Sequence, residues 1–269
     1  MCCNLIKYKT NLMRILFTND DGVFSPGLLA LLSAFQEAGD ELLVAAPDAE
    51  RSGASHSFTM LSPLRAKPVL IPGAERVTAY AVSGTPVDCV KLAYGNLFEK
   101  PDLLISGINL GANRGTDIFY SGTVSAAMEG ALLGIPSIAV SNIAWKPMSF
   151  DAATAGAKFA AEILRREPSI RLLNVNAPDL ALAQVRGVRI TPAGVQEYEA
   201  RYEERIDPYG QKYYWIPTGR MNPCGPESDC DERWTNDGYI AITPLVTNMT
   251  DHPSLERLRA MQDEITLDS

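Results

Sequence analysis

The chain has 269 residues, of which 46% are hydrophobic and 21% are charged. This composition excludes a disordered or fibrous protein and predicts a sizeable buried core. The net charge is −8 and no basic cluster is present, so we do not expect a nucleic-acid duplex as partner. Apolar runs are too short to span a membrane, and the first dozen residues lack a secretory signal, so we expect a cytoplasmic protein without a membrane partner.

The N-terminal part predicts a strand–helix–strand unit. A short apolar strand covers Arg14 to Thr18, and the turn-forming sequence NDDG follows it. Ser25 and Pro26 are typical of a helix start, and Gly39 of a helix end. A second apolar strand, Glu41 to Ala46, comes almost at once, which favours a parallel sheet.

The alternation of helices and strands continues to about residue 175. The predicted elements are a helix from Pro86 to about 96, a strand 102–106, a helix 123–133, a strand 135–141, a helix 151–166 and a strand 171–175. This order indicates an α/β fold with a Rossmann-like, doubly wound and mainly parallel sheet.

Beyond about residue 192 the pattern changes to a C-terminal hairpin and helix arm. Segments 197–206 and 211–216 flank an Asp-Pro-Tyr-Gly turn, which is typical of a β-hairpin. A strand at 239–243 and a helix at about 253–264 follow. We therefore expect an N-terminal extension at 1–12, a core at 13–192 and an arm at 193–269, with one undivided domain as the alternative. Cys224 and Cys230 are near enough to pair, but we expect free thiols.

The polar residues that follow three predicted strands define a candidate site. They are the segments Asn19-Asp20-Asp21-Gly22, Arg51-Ser52-Gly53 and Ser106-Gly107-Ile108-Asn109. Ligands of doubly wound proteins bind beyond the carboxyl ends of the strands. Adjacent Asp20 and Asp21 repel each other, and a hard cation such as Mg²⁺ or Mn²⁺ offsets that repulsion.

Each of these signals also has an ordinary structural explanation. NDDG is a good turn with solvated carboxylates, Ser52 fits common turn chemistry, and Asn109 fits a loop or cap. The functional interpretation depends on their convergence at one edge of the sheet. On that interpretation the metal ligands are Asp20, Asp21, Ser52 and Asn109. Asp20 and Asp21 are also the catalytic residues.

A fourth segment opens the Ala-rich helix and predicts a phosphate cradle. Its small residues Ser121, Gly122 and Thr123 allow an anion to approach the first backbone N–H groups of the helix. Together with Asn19 they are the predicted phosphate or substrate contacts. The alternative is an ordinary helix capped by Ser121 or Thr123. His56 is a further polar residue, whose catalytic duty we regard as doubtful.

Five motifs closely resemble the SurE (stationary-phase survival protein) family. They are NDDG with SPG, APDAERSGASHS, SGTPVDCV, SGINLGANRG and IFYSGTVSAAMEG. The resemblance runs in order from Met13 to about Asn142 and more loosely to the end of the chain. Carried over by motif, the metal ligands are Asp20, Asp21, Ser52 and Asn109.

The resemblance implies a metal-dependent 5′-nucleotidase. Such an enzyme releases phosphate from nucleoside 5′-monophosphates, with 3′-monophosphates and short polyphosphate as further substrates of some members. It also implies an arm exchanged between subunits, so we expect a homodimer or homotetramer. Two other functions stay open from the residues alone, which are a metal-dependent nucleotide-sugar transferase and a non-catalytic nucleotide-binding module.

Overall fold

The computed structural model describes residues 12–36, 39–198, 202–216, 221–222, 224–225 and 227–262. The helices are α1 Pro26–Gln36, α2 Pro86–Leu92, α3 Gly122–Leu132, α4 Asp151–Arg166, α5 Asp231–Asn236 and α6 His252–Met261. The strands are β1 Arg14–Thr18, β2 Glu41–Pro47, β3 Ala66–Val69, β4 Thr78–Val82, β5 Leu103–Leu110, β6 Ser137–Asn142, β7 Leu172–Ala177, β8 Val188–Ile190, β9 Glu197–Tyr198, β10 Glu203–Ile206, β11 Lys212–Trp215, β12 Met221–Asn222 and β13 Ile240–Pro244.

Nine strands form one mixed sheet in the order β3-β4-β2-β1-β5-β6-β7-β13-β8. The neighbours from β4 to β7 pair in parallel, whereas β3 pairs antiparallel with β4 and β13 pairs antiparallel with β7. The chain first builds outward from β1 through β2 to β4, then returns to β5 on the other side of β1. The topological switch point therefore lies at β1 and β5, where a doubly wound sheet places its ligand.

Helices cover both faces of this sheet, and the alternation along β1 shows how the two cores arise. Ile15 and Phe17 point into the core formed with α1 and α4, whereas Leu16 points into the core formed with α2 and α3. A strand buried on both faces has no polar side, which explains the continuous apolar sequence of β1. The predicted α/β fold with a mainly parallel, doubly wound sheet is confirmed.

The predicted elements of the core agree with the structure except at the sheet edge and at some boundaries. The helix at 151–166 has the predicted bounds, and Thr85 caps α2 through a capping box with Asp88. Strands β3, β4 and β8 were not predicted. β3 is a short edge strand with a proline and mostly exposed side chains, so no apolar run marks it. β5 extends past the predicted end at 106 and includes the SGIN sequence.

The C-terminal part contributes both to the main sheet and to a separate hairpin. β10 and β11 form the predicted antiparallel hairpin around the turn at Asp207, with shorter arms than expected. β13, however, lies between β7 and β8 in the main sheet. β13 therefore belongs to the main sheet although it follows the expected boundary at 192, and the division into core and arm stays a prediction.

The expectation for the two C-terminal cysteines can be compared with the structure. The expectation of free thiols at Cys224 and Cys230 is wrong, because the structure joins the two sulfurs in a disulfide. The loop before α5 brings the two cysteines together. The predicted helix end at 264 and part of the first hairpin arm lie outside the described residues.

Among the described helices, none combines the length and apolar character needed to cross a membrane.

Candidate metal and phosphate site

The NDDG turn directly follows β1 and is closed by the side chain of Asn19. The Asn19 amide nitrogen donates to Gly22 O at 3.0 Å and to Ser25 Oγ at 2.6 Å, and its oxygen accepts from the Gly22 N–H at 3.1 Å. Asn19 is fully buried. The expectation that Asn19 contacts phosphate or substrate finds no support in this geometry, because its hydrogen bonds are used to shape the turn that presents Asp20 and Asp21.

Asp20 is buried against the start of α3. Its carboxylate accepts a short hydrogen bond from the hydroxyl of Thr123. A Cβ at Gly122 would lie 2.9 Å from Asp20 Oδ2, so only glycine permits this close approach. Burial raises the pKa of Asp20, and the hydrogen bond from Thr123 opposes that rise.

Asp21 lies beside Asp20 and is less well provided with donors. Burial raises the pKa of Asp21 to about 7, and the negative charges of Asp20 and Glu50 act in the same direction. The backbone N–H of Leu110, at the end of β5, opposes the rise. Asp21 Oδ2 is buried and has no hydrogen-bond partner. An unpartnered buried carboxylate oxygen is costly, so this atom is the clearest sign of a missing proton or cation.

The loop after β2 brings Ser52 to the same edge. The Arg51 N–H donates to the Asp20 carbonyl at 2.7 Å, and the Val23 N–H donates to Pro47 O at 2.9 Å. These bonds hold the loop against the NDDG turn. Ser52 itself is exposed, and its hydroxyl donates to Glu50 Oε1 at 2.6 Å. Because a hydroxyl that donates one hydrogen bond keeps its lone pairs, Ser52 can still bind a cation.

Asn109 comes from the end of β5, where the strand is irregular. The register of β5 against β6 shifts between Ser106 and Asn109, and such bulges redirect side chains near functional sites. Asn109 Nδ2 donates to Gly111 O at 2.8 Å. This leaves the amide oxygen of Asn109 as its cation ligand. Since Leu110 contacts Asp21, the structure brings Asn109 to the same edge as the two aspartates.

The start of α3 completes this edge. Ser121 is the N-cap, and its hydroxyl accepts from the Val124 N–H at 3.1 Å. Its hydroxyl therefore shapes the helix start, and the hydroxyl of Thr123 holds Asp20. Of the predicted cradle, the parts compatible with binding phosphate are the backbone of Gly122 and the positive end of the helix dipole.

Sequence reasoning missed two features near this edge. Glu50, inside the recognised motif, adds a third negative charge that raises the pKa values of Asp20 and Asp21. His56 is not free, because its Nε2 lies 3.0 Å from Glu129 Oε2, and Lys91 Nζ lies 3.1 Å from the other oxygen of Glu129. The adjacency of Glu50 to Ser52 was a usable signal, whereas the His56–Glu129 contact joins residues far apart in the sequence.

The donor set fits a hard divalent cation. Three or more clustered His, Cys, Asp or Glu side chains of the metal-site kind are not found among the described residues. A cation at this edge would therefore be held by two carboxylates and by neutral oxygens of Ser52 and Asn109, which suits Mg²⁺ or Mn²⁺ better than zinc. The charged groups that act on the pKa values of Asp20 and Asp21 are themselves carboxylates, so a cation would relieve their repulsion.

Fold and site together define a doubly wound α/β protein with a crowded carboxylate pair at its switch point. The family model described as Survival protein SurE matches residues 15–200. The chain is 45% identical to the 5′-nucleotidase SurE of Desulfitobacterium hafniense over 92% of this chain and 96% of that protein. It is 42% identical to the 5′-nucleotidase SurE of a Cyanothece species, over 91% of this chain and 95% of that protein.

A solved structure gives the same result. The crystal structure of the SurE protein from Aquifex aeolicus is similar with a TM-score of 0.78 and 37% sequence identity, covering 93% of this chain and all of that one. The chain belongs to the SurE family, and the resemblance recognised in its motifs is confirmed.

Proposed function

We propose that this chain is a metal-dependent 5′-nucleotidase that hydrolyses nucleoside 5′-monophosphates to nucleoside and phosphate. The observation that carries the proposal is the adjacent pair Asp20 and Asp21, with a buried, unpartnered oxygen on Asp21 and a raised pKa on both carboxyls. Relatives named as 5′-nucleotidases, which align over most of the chain, support the substrate class.

The cation is Mg²⁺ or Mn²⁺, bound by Asp20, Asp21, Ser52 and Asn109. When bound, such an ion polarises a phosphate group and makes a water molecule more acidic. Asp20 is held in place by Thr123, so its orientation is fixed before the substrate arrives. Fixed ligands lower the cost of assembling a site.

Asp21 is the residue best placed to handle a proton. Its Oδ2 has no competing hydrogen bond, so this oxygen is able to orient an attacking water or to accept its proton. The start of α3 at Gly122 lies against Asp20, and its dipole favours the negative charge of a phosphate group. Metal ligands and helix start thus act on the same phosphate, as phosphoryl transfer requires.

A phosphate-release panel tests this function. Nucleoside 5′- and 3′-monophosphates and short polyphosphate are each incubated with Mg²⁺, Mn²⁺ or excess chelator. We expect phosphate release from 5′-monophosphates with either metal and none with chelator. Full turnover after exhaustive chelation would contradict the proposal. Saturable nucleotide binding without release would instead favour a binding module, and release only from nucleotide sugars would favour a transferase.

We also propose that the chain forms a homodimer or homotetramer through its hairpin. Among the described strands, β10 and β11 pair only with each other, and their side chains are exposed. Tyr213, Tyr214 and Trp215 together present a large apolar surface on a two-stranded element, which is marginally stable alone. An arm exchanged with a second copy would cover it. Light scattering at micromolar concentration should give at least twice the monomer mass of 29.2 kDa, and a monomeric mass would contradict this.

A further inference from the structure

Trp145 lies in the short loop that follows β6, and this loop is closed by a single buried residue. Asn142 Nδ2 donates to Ser149 O at 3.1 Å, and Asn142 Oδ1 accepts from the Ala144 N–H at 3.0 Å. The two ends of the loop are therefore fixed to the end of β6. Trp145 is thus held by a short, anchored segment rather than by a long, free loop.

The same loop is tied to the segment that carries Asn109. The Gly111 N–H donates to the Asn142 carbonyl at 2.9 Å, and the Gly111 carbonyl accepts from Asn109 Nδ2 at 2.8 Å. Two residues of chain span at most about 7 Å. Trp145 therefore lies close to Asn109 and on the same edge of the sheet as the proposed metal.

The indole ring of Trp145 covers Gly111. A Cβ at Gly111 would lie 3.4 Å from both Cε2 and Cζ2 of the ring, which is van der Waals contact distance. Gly111 also has a φ of +112°, which favours glycine. The indole therefore rests on backbone, which leaves 78% of the surface of Trp145 exposed.

An exposed flat ring beside a phosphate site has a specific chemical use. The base of a nucleoside monophosphate is separated from its phosphate by one sugar, so a phosphate bound near Asn109 would carry the base outward over this edge. Every nucleobase has a π-face, and stacking on an aromatic side chain accepts all of them. The one polar group of the indole, its N–H, lies at the ring edge and not on the face, so stacking on that face selects no single base.

We propose that Trp145 is the platform on which the base of the substrate stacks, which makes it a determinant of substrate specificity. This inference rests on the proposed nucleotidase function and deepens it. The platform gives the enzyme a preference for nucleotides over phosphate esters that lack a base, with broad tolerance among the bases. Purines, which offer the larger stacking surface, gain more than pyrimidines.

The test compares a substrate that has a base with one that lacks it. Adenosine 5′-monophosphate and ribose 5-phosphate are assayed with saturating Mn²⁺ on wild type, Trp145→Ala and Trp145→Phe. We expect Trp145→Ala to raise the KM for adenosine 5′-monophosphate by roughly 5- to 150-fold, the range given by stacking of one base. Its kcat should change much less, because stacking binds ground state and transition state alike. The KM for ribose 5-phosphate should rise far less in Trp145→Ala, and Trp145→Phe should retain most of the affinity for the nucleotide.

Met148→Ala is the matched control. Met148 is an equally exposed apolar residue of the same loop. The Met148→Ala variant should keep the wild-type KM and kcat for both substrates. Equal losses on both substrates for Trp145→Ala would overturn the platform, because the ring would then only support the Asn109 segment. An unchanged KM for the nucleotide would overturn it as well.

A binding measurement separates this inference from the proposed function. The chain has three tryptophans, so subtracting the fluorescence of Trp145→Phe isolates the contribution of Trp145. Adenosine should quench this difference signal saturably, whether or not the enzyme releases phosphate. Absence of quenching by adenosine would contradict the platform, whereas absence of phosphate release by wild type would contradict only the nucleotidase proposal.

Discussion

Among the described residues, two adjacent carboxylate pairs are buried or partly buried, and the protein supplies them with hydrogen-bond donors to very different extents. Asp231 and Glu232, at the start of α5, are supplied with donors by the protein itself. Asp231 accepts from the N–H groups of Gly115, Gly194 and Glu232, each at 2.9 Å. Glu232 Oε2 accepts from Gln196 Nε2 at 3.1 Å and from the Cys224 N–H at 3.0 Å.

A cation from the chain also serves this second pair. Burial lowers the pKa of Arg114, and the negative charges of Glu232 and Asp231 act against that fall, so the guanidinium and the two carboxylates stabilise one another. Asp20 and Asp21 have no such partner among the charged groups that act on them. The comparison favours Asp20 and Asp21 as the ligand site, because the protein compensates the charge of the other pair and leaves theirs uncompensated.

Removing one aspartate of the uncompensated pair should have the largest effect on activity. Asp20→Asn or Asp21→Asn removes a charge from the cation's ligand set, so turnover of adenosine 5′-monophosphate should fall by roughly a hundredfold or more. The metal-free thermal midpoint should hold or rise, because like-charge repulsion is relieved. Asp151→Asn, at an exposed helix start, is the control and should behave as wild type. A variant with wild-type turnover would restore the interpretation of NDDG as a turn alone.

The compensated pair should respond in the opposite direction. Asp231→Ala leaves two buried N–H groups and one partly buried N–H group without their acceptor, so we expect a loss of about 2 kcal/mol or more in the free energy of unfolding. Mn²⁺ binding by the folded variant should persist, because Asp231 contacts none of the proposed ligands. Denaturant unfolding measures the loss. An Asp231→Ala protein that matched the wild-type stability would show that these hydrogen bonds contribute little.

The neutral ligands should give a smaller effect than the aspartates. Ser52→Ala and Asn109→Ala should each raise the Mn²⁺ concentration needed for half-maximal phosphate release by roughly tenfold, the lower end of losses reported for groups around metal sites. Ser57→Ala is the control, since Ser57 lies in the same loop and donates to the Ala54 carbonyl. Unchanged metal dependence in both Ser52→Ala and Asn109→Ala would exclude these residues as ligands.

Asp117, next to Arg114, should produce the smallest effect, seen only as a pH dependence of stability. Burial raises the pKa of Asp117 from 3.8 to about 6, although Arg114 lowers it. The folded state therefore holds a proton that the unfolded state has lost between these pH values. This contribution is complete below the unfolded pKa and is lost as the pH rises to about 6.

Asp117→Asn should abolish this dependence. Because Asp117 is only half-buried, we expect the change to be about 1 kcal/mol, less than the full pKa shift would give. Subtracting the variant's unfolding free energies from those of wild type between pH 4 and 7 isolates Asp117, since both proteins share the other titrating groups. A difference that does not vary with pH would contradict the raised pKa.

The sequence predicted the parts of the fold that local patterns encode. Apolar runs predicted most of the buried strands and their order along the chain, and turn residues predicted the cap at Thr85. Parallel-strand geometry predicted that four residues lie at one edge of the sheet, namely Asp20, Asp21, Ser52 and Asn109. The insertion of β13 beside β7 was not predicted, because an antiparallel pairing of strands so far apart in the sequence, such as Ala241 with Asn176, leaves no local signal. Likewise, an asparagine such as Asn19 suits a turn as well as a binding site. Only the hydrogen bonds seen in the structure assign Asn19 to the turn.

The central claim is that Asp20 and Asp21 form a cation site, and direct titration of Mn²⁺ into the metal-free protein tests it. Calorimetry of wild type, Asp21→Asn and Asp231→Ala compares the two carboxylate pairs in one experiment. The account predicts a saturable site in wild type and in Asp231→Ala, with affinity strongly reduced in Asp21→Asn. A wild-type titration curve for Asp21→Asn would contradict it.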